Sequence, residues 1–246
     1  MGDFAALLAL LVHRKSYMVN PKSSPPISNR TAYMVNRKSI YLVRHGQTDY
    51  NLRGIVQGSG VDASLNHTGQ TQARHFYEHY RDVGFDVVIT SALKRTWETV
   101  QGFIDDGISW ERNADINEIC WGSHEGKPGT PESIAEYKRV KDEWGAGQLD
   151  GRIGGGESAQ ELKERLERFI EHLAGRSEET ILVCSHGRAM CALVTLMMGR
   201  PVSMMNDLVH HNVGLWIAEA QPDGLYRFTL QNDRRHIPGP LKLGQW

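Results

Sequence analysis

Short apolar runs that end on chemically active residues recur along this chain. Residues 40–43, IYLV, are followed directly by Arg44 and His45. Residues 85–91, FDVVITS, and residues 180–186, TILVCSH, show a similar pattern, and the second of them ends on a histidine. Brief runs rich in β-branched and aliphatic residues are typical of strands buried in a parallel sheet. The pattern therefore predicts three buried strands that deliver polar side chains to their ends.

Segments with helical periodicity lie between these runs and after them. The segments that show it are residues 68–83, 92–104, 131–144, 158–176 and 187–198. Two later apolar stretches, VGLWIAEA and LYRFTLQ, flank a Pro-Asp-Gly turn and predict a hairpin. The alternation of strands and helices predicts an α/β fold with three layers, α/β/α, around a mostly parallel central sheet.

Residues 158–176 carry the clearest helical signal. Ser158 and Glu161 form a capping box, and the apolar side chains that share one face are Leu162, Leu166, Phe169, Ile170 and Leu173. On the solvated face we expect the four-apart ion pairs Glu161–Arg165 and Glu164–Arg168. The preceding GGGES lacks the lysine of a P-loop and a preceding apolar strand. We interpret it as a flexible loop that leads into the helix.

The predicted strand ends define a candidate pocket. Ligands of open α/β sheets bind beyond the carboxyl ends of the strands. His45, residues 91–95 and His186 all follow such ends. The sequence therefore predicts one pocket that holds two histidines and at least two arginines.

The first 39 residues differ from the rest. Residues 4–12, FAALLALLV, are too short to span a membrane, and Asp3 stands where a signal peptide carries lysine or arginine. SYMVNPKS and AYMVNRKS are near-copies 16 residues apart, a pair too small for a solenoid. We expect residues 1–39 to be a disordered extension or to precede the natural start, and residues 40–246 to form one domain.

Composition and charge exclude several partners. The 246 residues are 40% hydrophobic and 23% charged, which is ordinary for a globular domain, and the net charge is −1. Without a basic stripe we expect neither nucleic acid nor a membrane as partner. The three cysteines form neither a CxxC pair nor an even set, so a reducing cytoplasm fits best.

A set of motifs occurs in one order along the chain. The motifs are RHGQTDYN at 44–51, VQG at 56–58, LNHTGQTQA at 65–73, SALKRTWET at 91–99, a later Glu118, and CSHG at 184–187. RHG alone is weak evidence, but the ordered set resembles the histidine phosphatase superfamily, also called the phosphoglycerate mutase-like family. The resemblance covers about residues 40–237.

The resemblance implies a role for each matched residue. His45 becomes the nucleophile that forms phosphohistidine, and Glu118 becomes the proton donor. The residues that complete or line the phosphate pocket are Arg44, Arg95, His186, Asn51, Gln57, Gly58 and Gly187. Three positions depart from the usual pattern, since Ala92 replaces proline, Thr96 replaces alanine and His124 replaces tryptophan. Asn51 could instead cap a turn, and Gln57 could lie at the surface.

The chemistry of these residue types supports the same roles. A neutral imidazole can attack a phosphomonoester dianion if fixed guanidinium groups neutralise its oxygens. Arginine suits this task because its planar fork holds two phosphate oxygens. A carboxylic acid such as Glu118 can protonate the leaving alkoxide, although Glu111, Glu125 and Glu132 are rivals. We expect no cofactor, no metal, and a small phosphomonoester as substrate. A homodimer is left open.

Other functions compete with a phosphatase. A metallohydrolase could use His45, His186 and a carboxylate as ligands, although two arginines would repel a divalent cation. A phosphoglycerate mutase needs extra covering structure and positive charge, for which the segment after Glu118 and the tail after His236 leave little room. An inactive phosphate-binding module would keep the arginines alone. Six other histidines are expected to be helix-surface or loop groups, namely His67, His75, His79, His172, His210 and His211.

Overall fold

Six strands form one sheet in the computed structural model, which describes residues 38–238. The strands are β1 Ser39–Arg44, β2 Val87–Thr90, β3 Ser109–Arg112, β4 Thr180–Ser185, β5 Leu215–Ala220 and β6 Tyr226–Asp233. The two near-copies, apart from the last two residues of the second, and most of the predicted extension lie outside the described residues.

The sheet is mostly parallel, as predicted. Its strand order is β3-β2-β4-β1-β5-β6. The pairs β2–β3, β2–β4 and β1–β4 are parallel, whereas β5 runs antiparallel to β1 and forms the predicted hairpin with β6. Arg44 is paired with Ser185 in the β1–β4 register, so His45 and His186 leave neighbouring strands at the same level.

Seven α-helices cover the described part of the sheet. They are α1 Asp49–Arg53, α2 His67–Tyr80, α3 Lys94–Thr99, α4 Gln101–Asp105, α5 Pro131–Gly145, α6 Ala159–Ala174 and α7 Gly187–Met197. Short 3₁₀ turns lie at Ala114–Ile116, Gly122–His124 and Val202–Asp207.

The sheet separates two hydrophobic cores, because successive side chains of a strand point to opposite faces. On one face, Ile40 and Leu42 of β1 pack in the core that includes side chains of α6 and α7. On the other, Val43 packs with side chains that include Phe76 of α2 and Phe103 of α4. This arrangement gives the three predicted layers, and the central parallel strands β2 and β4 are buried on both sides.

Helix α6 begins as predicted but forms different ion pairs. The Ser158–Glu161 capping box is present, and four of the five predicted apolar side chains are fully buried. The two expected pairs are wrong, because Glu161, Arg165 and Arg168 pair with residues outside the helix, although Lys163 and Glu167 do form a four-apart pair within it. The observed pairs are Arg152–Glu161, Arg165–Glu157 and Arg168–Asp115. These contacts connect the helix to the 3₁₀ turn at Ala114–Ile116 and to the loop that precedes the helix.

The predicted helix over residues 92–104 is two short helices, α3 and α4. Val100 lies between them with φ −111° and ψ 15°, outside helical geometry. The Thr99 hydroxyl donates to the carbonyl of Arg95 at 2.6 Å and accepts from the Gly46 N–H at 2.9 Å. A threonine that bonds four residues back competes with the helical backbone and bends it. The break thus accompanies a contact between α3 and the loop that follows β1.

Two elements were not predicted. Strand β3 lies at the sheet edge with no buried residue, so its sequence SWER shows no clear alternation. Helix α1 has five residues and no buried side chain, so it has no apolar stripe. Its start is fixed by a capping box between Thr48 and Asn51. At the beginning of the described chain, Lys38 donates to the carbonyls of Leu173 and Arg176 at the end of α6.

None of the helices described between residues 38 and 238 is both long and apolar enough to cross a membrane.

Candidate active site

Two buried histidines stand side by side at the carboxyl ends of β1 and β4. The ring centroids of His45 and His186 are 5.2 Å apart, and the residues are 2% and 0% exposed. Both follow parallel neighbouring strands, which fixes their separation through the sheet. The geometry confirms that the predicted strand ends meet in one place.

His45 is held in a defined protonation state. Its Nδ1 lies 2.7 Å from the carbonyl oxygen of Gly46, and because a carbonyl only accepts, Nδ1 must carry the hydrogen. Burial, followed by the positive charges of Arg95 and Arg44, holds the pKa of His45 well below its ordinary value. The imidazole is therefore neutral, and its Nε2 carries a free electron pair.

Arg95 reaches the histidines from the first turn of α3. Its side chain is completely buried, and it donates to His186 Nδ1 at 3.1 Å, to the Val61 carbonyl at 2.7 Å and to the Gly58 carbonyl at 3.2 Å. Burial lowers its pKa to about 10, which still leaves it charged at neutral pH. Each terminal nitrogen uses one N–H in these bonds, so a second N–H on each can meet a phosphate oxygen.

His186 has a protein partner on each ring nitrogen. Because Arg95 donates to Nδ1, the hydrogen lies on Nε2, which is 2.8 Å from the Ser91 hydroxyl. The Ser91 hydroxyl lies 3.0 Å from that of Thr96, which in turn donates to the Leu93 carbonyl at 2.7 Å. Thr96, the departure from the family pattern, thus ends a chain that orients His186. Burial first, and Arg95 second, lower the pKa of His186 well below its ordinary value.

Arg44 is the second arginine of the site and lies on its β5 side. Its guanidinium donates to the His210 carbonyl at 2.6 Å, and its Nε is buried without a hydrogen-bond partner. Gly187 allows this position, because a Cβ there would lie 3.3 Å from Cζ of Arg44. Burial lowers the pKa of Arg44, while Glu118 acts to raise it.

Glu118 is anchored at the beginning of α7. Its Oε1 accepts from the backbone N–H groups of Ile119 at 3.0 Å and Ala189 at 2.9 Å, and its Oε2 accepts from that of Arg188 at 3.1 Å. It is 7% exposed and electrostatically coupled to both Arg44 and Arg95. The carboxyl group therefore belongs to the same cluster as the histidines.

The three rival glutamates have other environments. Glu125 accepts from the N–H groups of Gly60 and Trp121, so it ties two loops together. Glu111 pairs with His172 and Arg176 at the far end of α6. Glu132 is exposed in the first turn of α5. Among them only Glu125 is electrostatically coupled to a site arginine, Arg95.

The predicted binding residues lie around the cluster with local roles as well. Asn51 does cap a turn, since its Oδ1 accepts from the Thr48 N–H at 3.2 Å. Gln57 is 9% exposed and accepts from the Thr48 hydroxyl at 2.9 Å, so it is not a surface group. Gly58 has no room for a side chain, because a Cβ would collide with Glu125 and with the Ile119 carbonyl.

The loop of residues 153–157 supports the segment that carries Glu118. Cβ atoms at Gly122 or Gly156 would collide with the opposite backbone, and Glu157 N–H donates to the Cys120 carbonyl at 2.8 Å. Gly154 and Gly156 therefore serve close packing, and GGGES leads into the capped helix α6 as predicted. A loop fixed in this way holds the chain just after Glu118.

Three residues near the site were missed. Asn212 donates to the His45 carbonyl at 2.9 Å and to Asn51 Oδ1 at 3.3 Å. His210 lies in a loop, as expected, but it is buried, at 4% exposed, and burial lowers its pKa to about 3. Arg188 follows the SHG motif directly. That adjacency was the one signal in the sequence for any of the three.

His124, whose role the sequence left open, faces α5. Its Nε2 lies 2.9 Å from a carboxylate oxygen of Glu136. Both residues line a cavity of about 460 Å³ with Val56 and the first turn of α5. Between residues 38 and 238, no group of three or more His, Cys, Asp or Glu side chains is arranged to hold a metal ion.

Fold and site together define a class of protein. A mostly parallel sheet presents two buried histidines, of which His45 has a free Nε2, beside the partly buried Arg44, the fully buried Arg95 and one carboxyl group. The chain belongs to the histidine phosphatase superfamily (branch 1), whose sequence pattern matches residues 40–234.

Relatives with several activities share this family. The chain is 35% identical to the probable phosphoglycerate mutase GpmB of Klebsiella pneumoniae over 171 residues, 66% of this chain and 75% of that protein. It is 31% identical to the uncharacterized phosphatase PhoE of Bacillus subtilis over 164 residues, 65% and 78% of the two chains. The α-ribazole phosphatase of Shigella flexneri superposes with a TM-score of 0.71 at 23% identity, covering 82% of this chain and 99% of that one. The last comparison supports the fold alone.

Proposed function

We propose that this protein is a phosphomonoester hydrolase that acts through a phosphohistidine at His45. The observation that carries the proposal is the free Nε2 of a neutral His45 between the guanidinium groups of Arg44 and Arg95. Fixed positive charge in a buried site stabilises the charge on a transferring phosphoryl group more strongly than water does.

In the first step the Nε2 electron pair forms a bond to phosphorus while the ester P–O bond breaks. Arg44 and Arg95 bind the phosphoryl oxygens, and Glu118 gives its proton to the leaving alkoxide. The imidazole becomes positive as it attacks, and the hydrogen bond from Nδ1 to the Gly46 carbonyl stabilises that charge. The products are an alcohol and a phosphohistidine.

In the second step a water molecule hydrolyses the phosphohistidine. The Glu118 carboxylate takes a proton from the water, the oxygen forms a bond to phosphorus, and the N–P electron pair returns to Nε2. Inorganic phosphate leaves, and Glu118 is again protonated for the next cycle. Because the arginines supply the positive charge, we expect a chelator to leave the activity unchanged.

The chain around the site favours hydrolysis over mutase chemistry. Between Glu118 and α6 the described chain holds a 3₁₀ turn, α5 and connecting loops, so little remains to cover a phosphohistidine. A mutase must exclude water while its intermediate reorients. The relatives include both phosphatase and mutase names, so this argument rests on the chain itself.

One assay separates the two activities. With 3-phosphoglycerate and a catalytic amount of 2,3-bisphosphoglycerate, we expect release of inorganic phosphate and no 2-phosphoglycerate. Rapid formation of 2-phosphoglycerate that depends on the bisphosphate would assign the mutase. A panel of phosphomonoesters then ranks the substrates by kcat/KM.

A further inference from the structure

The hydrogen bonds of the Thr96 hydroxyl have a fixed direction. Its oxygen lies 2.7 Å from the Leu93 carbonyl oxygen and 3.0 Å from the Ser91 hydroxyl oxygen. Because a carbonyl only accepts, Thr96 must donate its one hydrogen to Leu93, and it is therefore an acceptor toward Ser91. Thr96 is completely buried, so solvent does not compete for the hydroxyl.

This direction determines what the Ser91 hydroxyl can do. Its hydrogen is donated to Thr96, and its oxygen accepts from the Leu93 N–H at 3.0 Å. His186 Nε2 lies 2.8 Å from the same oxygen, so Nε2 must carry a hydrogen and donate it to Ser91. A serine hydroxyl can equally donate to an unprotonated ring nitrogen. The Thr96 hydroxyl removes that alternative.

The opposite side of the His186 ring requires the same tautomer. Arg95 Nε donates to Nδ1 at 3.1 Å, which needs an electron pair on Nδ1. With the hydrogen on Nδ1, two buried N–H groups would face each other, and a hydrogen bond would be lost. Burial lowers the pKa of His186 well below its ordinary value, so the neutral ring has one hydrogen to place. Two independent sets of bonds put that hydrogen on Nε2.

We propose that Thr96 is a positioning residue, because its hydroxyl fixes the tautomer of His186 and thereby the orientation of the Arg95 guanidinium toward phosphate. The inference rests on the proposed function, which gives Arg95 a phosphate to bind. The terminal nitrogens of Arg95 also donate to backbone carbonyls, and each keeps an N–H for a phosphate oxygen. Alanine, the usual residue of the family at position 96, has no hydroxyl that could direct the Ser91 hydrogen.

A spectroscopic test compares Thr96→Val with the wild type. Valine keeps the branched shape without the hydroxyl, so the Ser91 hydrogen loses its acceptor and competes for His186 Nε2. In ¹⁵N-labelled wild type without ligand, NMR should show His186 with Nε2 protonated and Nδ1 unprotonated. Thr96→Val should show a measurable population with Nδ1 protonated. An unchanged tautomer in the variant would overturn the proposal.

Binding measurements follow the effect to Arg95. In a His45→Ala background, which cannot form phosphohistidine, calorimetry with inorganic phosphate should show about tenfold weaker binding after Thr96→Val, the scale of one impaired charge-assisted hydrogen bond. Thr96→Ser, which keeps the hydroxyl, should restore both the tautomer and the affinity. Unchanged affinity in Thr96→Val would contradict the link to Arg95, and a loss that serine does not restore would leave Thr96 a packing role alone.

The matched control is Thr195→Val. Thr195 is a buried threonine of α7 whose hydroxyl donates to the Cys191 carbonyl at 2.7 Å, within its own helix. Its replacement should leave the His186 tautomer and phosphate binding unchanged. If Thr96→Val melts below the measurement temperature, Thr96→Ala gives the same comparison. A wild type that hydrolyses no phosphomonoester would count against the proposed function, whereas NMR and calorimetry test the role of Thr96 without turnover.

Discussion

The end of the site proposed to bind phosphate, called the phosphate end, and the end proposed to bind the leaving alcohol, called the leaving-group end, are built in different ways. At the phosphate end, His45, Arg95 and His186 are at most 2% exposed and are fixed by β1, β4 and α3. At the other end, the chain from 126 to 132, which leads into α5, is exposed throughout. Only Tyr137, Val140 and Trp144 of α5 reach a hydrophobic core. One half of the site is formed at the strand ends, and the other half is formed by an exposed segment and the peripheral helix α5.

This difference assigns different tasks to the two halves. Strands and their hydrogen-bonded ends hold reacting groups to a fraction of an ångström, which phosphoryl transfer requires. Loops and a peripheral helix tolerate sequence change, so they are the natural place for substrate selection. Changes at the phosphate end should therefore affect every substrate, and changes at the other end should affect some substrates more than others.

The largest effect should come from His45. We expect His45→Ala to reduce kcat by at least about 10⁴-fold on all phosphomonoesters, because removing a nucleophile eliminates the covalent pathway. Phosphate release under saturating substrate measures it. His67→Ala, a change at the exposed start of α2, is the matched control. Residual activity above a few per cent on any substrate would mean that another group attacks phosphorus.

Glu118 should show an effect that depends on the leaving group. Glu118→Gln removes the proton donor, so alkyl phosphates should slow by about 100-fold or more. p-Nitrophenyl phosphate should slow far less, because nitrophenolate leaves without a proton. The comparison of kcat/KM on the two substrates is the measurement. Equal losses on both would move the acid to another carboxyl group, and Glu125 is the nearest candidate.

A smaller effect concerns the pH at which His45 titrates. An ordinary histidine would become protonated and unreactive below about pH 6.5. Burial and the two arginines lower the pKa of His45, so its imidazole should stay neutral well below that pH. NMR of ¹⁵N-labelled imidazole groups should show the neutral His45 signal unchanged between pH 7.5 and about 5.5. A midpoint near the ordinary value would show that neither burial nor the arginines lower the pKa of His45.

The sequence predicted, for a physical reason, that two histidines and an arginine meet at one end of the sheet. His45, Arg95 and His186 lie next to strand ends or in the first turn of a helix, and such positions follow from local periodicity. Local periodicity gave no signal for Arg188, because its side chain contacts Tyr137 and Asn206, which are distant in sequence. The expected ion pairs of α6 failed likewise, since Glu157 and Asp115 on other segments offered closer partners. Side-chain partners that are distant in sequence therefore cannot be predicted from local patterns.

The smallest expected effect concerns His236, which lies outside the site and should affect the pH dependence of stability but not activity. His236 is 5% exposed among aromatic rings that include Phe76 and Tyr80, and burial lowers its pKa to about 4. Between that value and the ordinary value of 6.5, the unfolded chain binds a proton that the folded chain excludes, so stability falls as the pH falls.

His236→Phe should remove this dependence. Urea unfolding at pH 6 and pH 5 should show that the free energy of unfolding decreases less in the variant than in the wild type. The difference in pH slope should correspond to the uptake of up to about one proton per molecule on unfolding. Turnover at pH 7.5 should be unchanged. An identical pH slope in the wild type and the variant would contradict the buried neutral state of His236.

The covalent intermediate is the central claim, and rapid acid-free quenching with ³²P-labelled substrate tests it most directly. The account predicts a protein-bound phosphate that is stable in base and lost in acid, that maps to the peptide containing His45, and that is absent from His45→Ala. Phosphate that is stable in acid, or that maps to a serine or an aspartate, would contradict it.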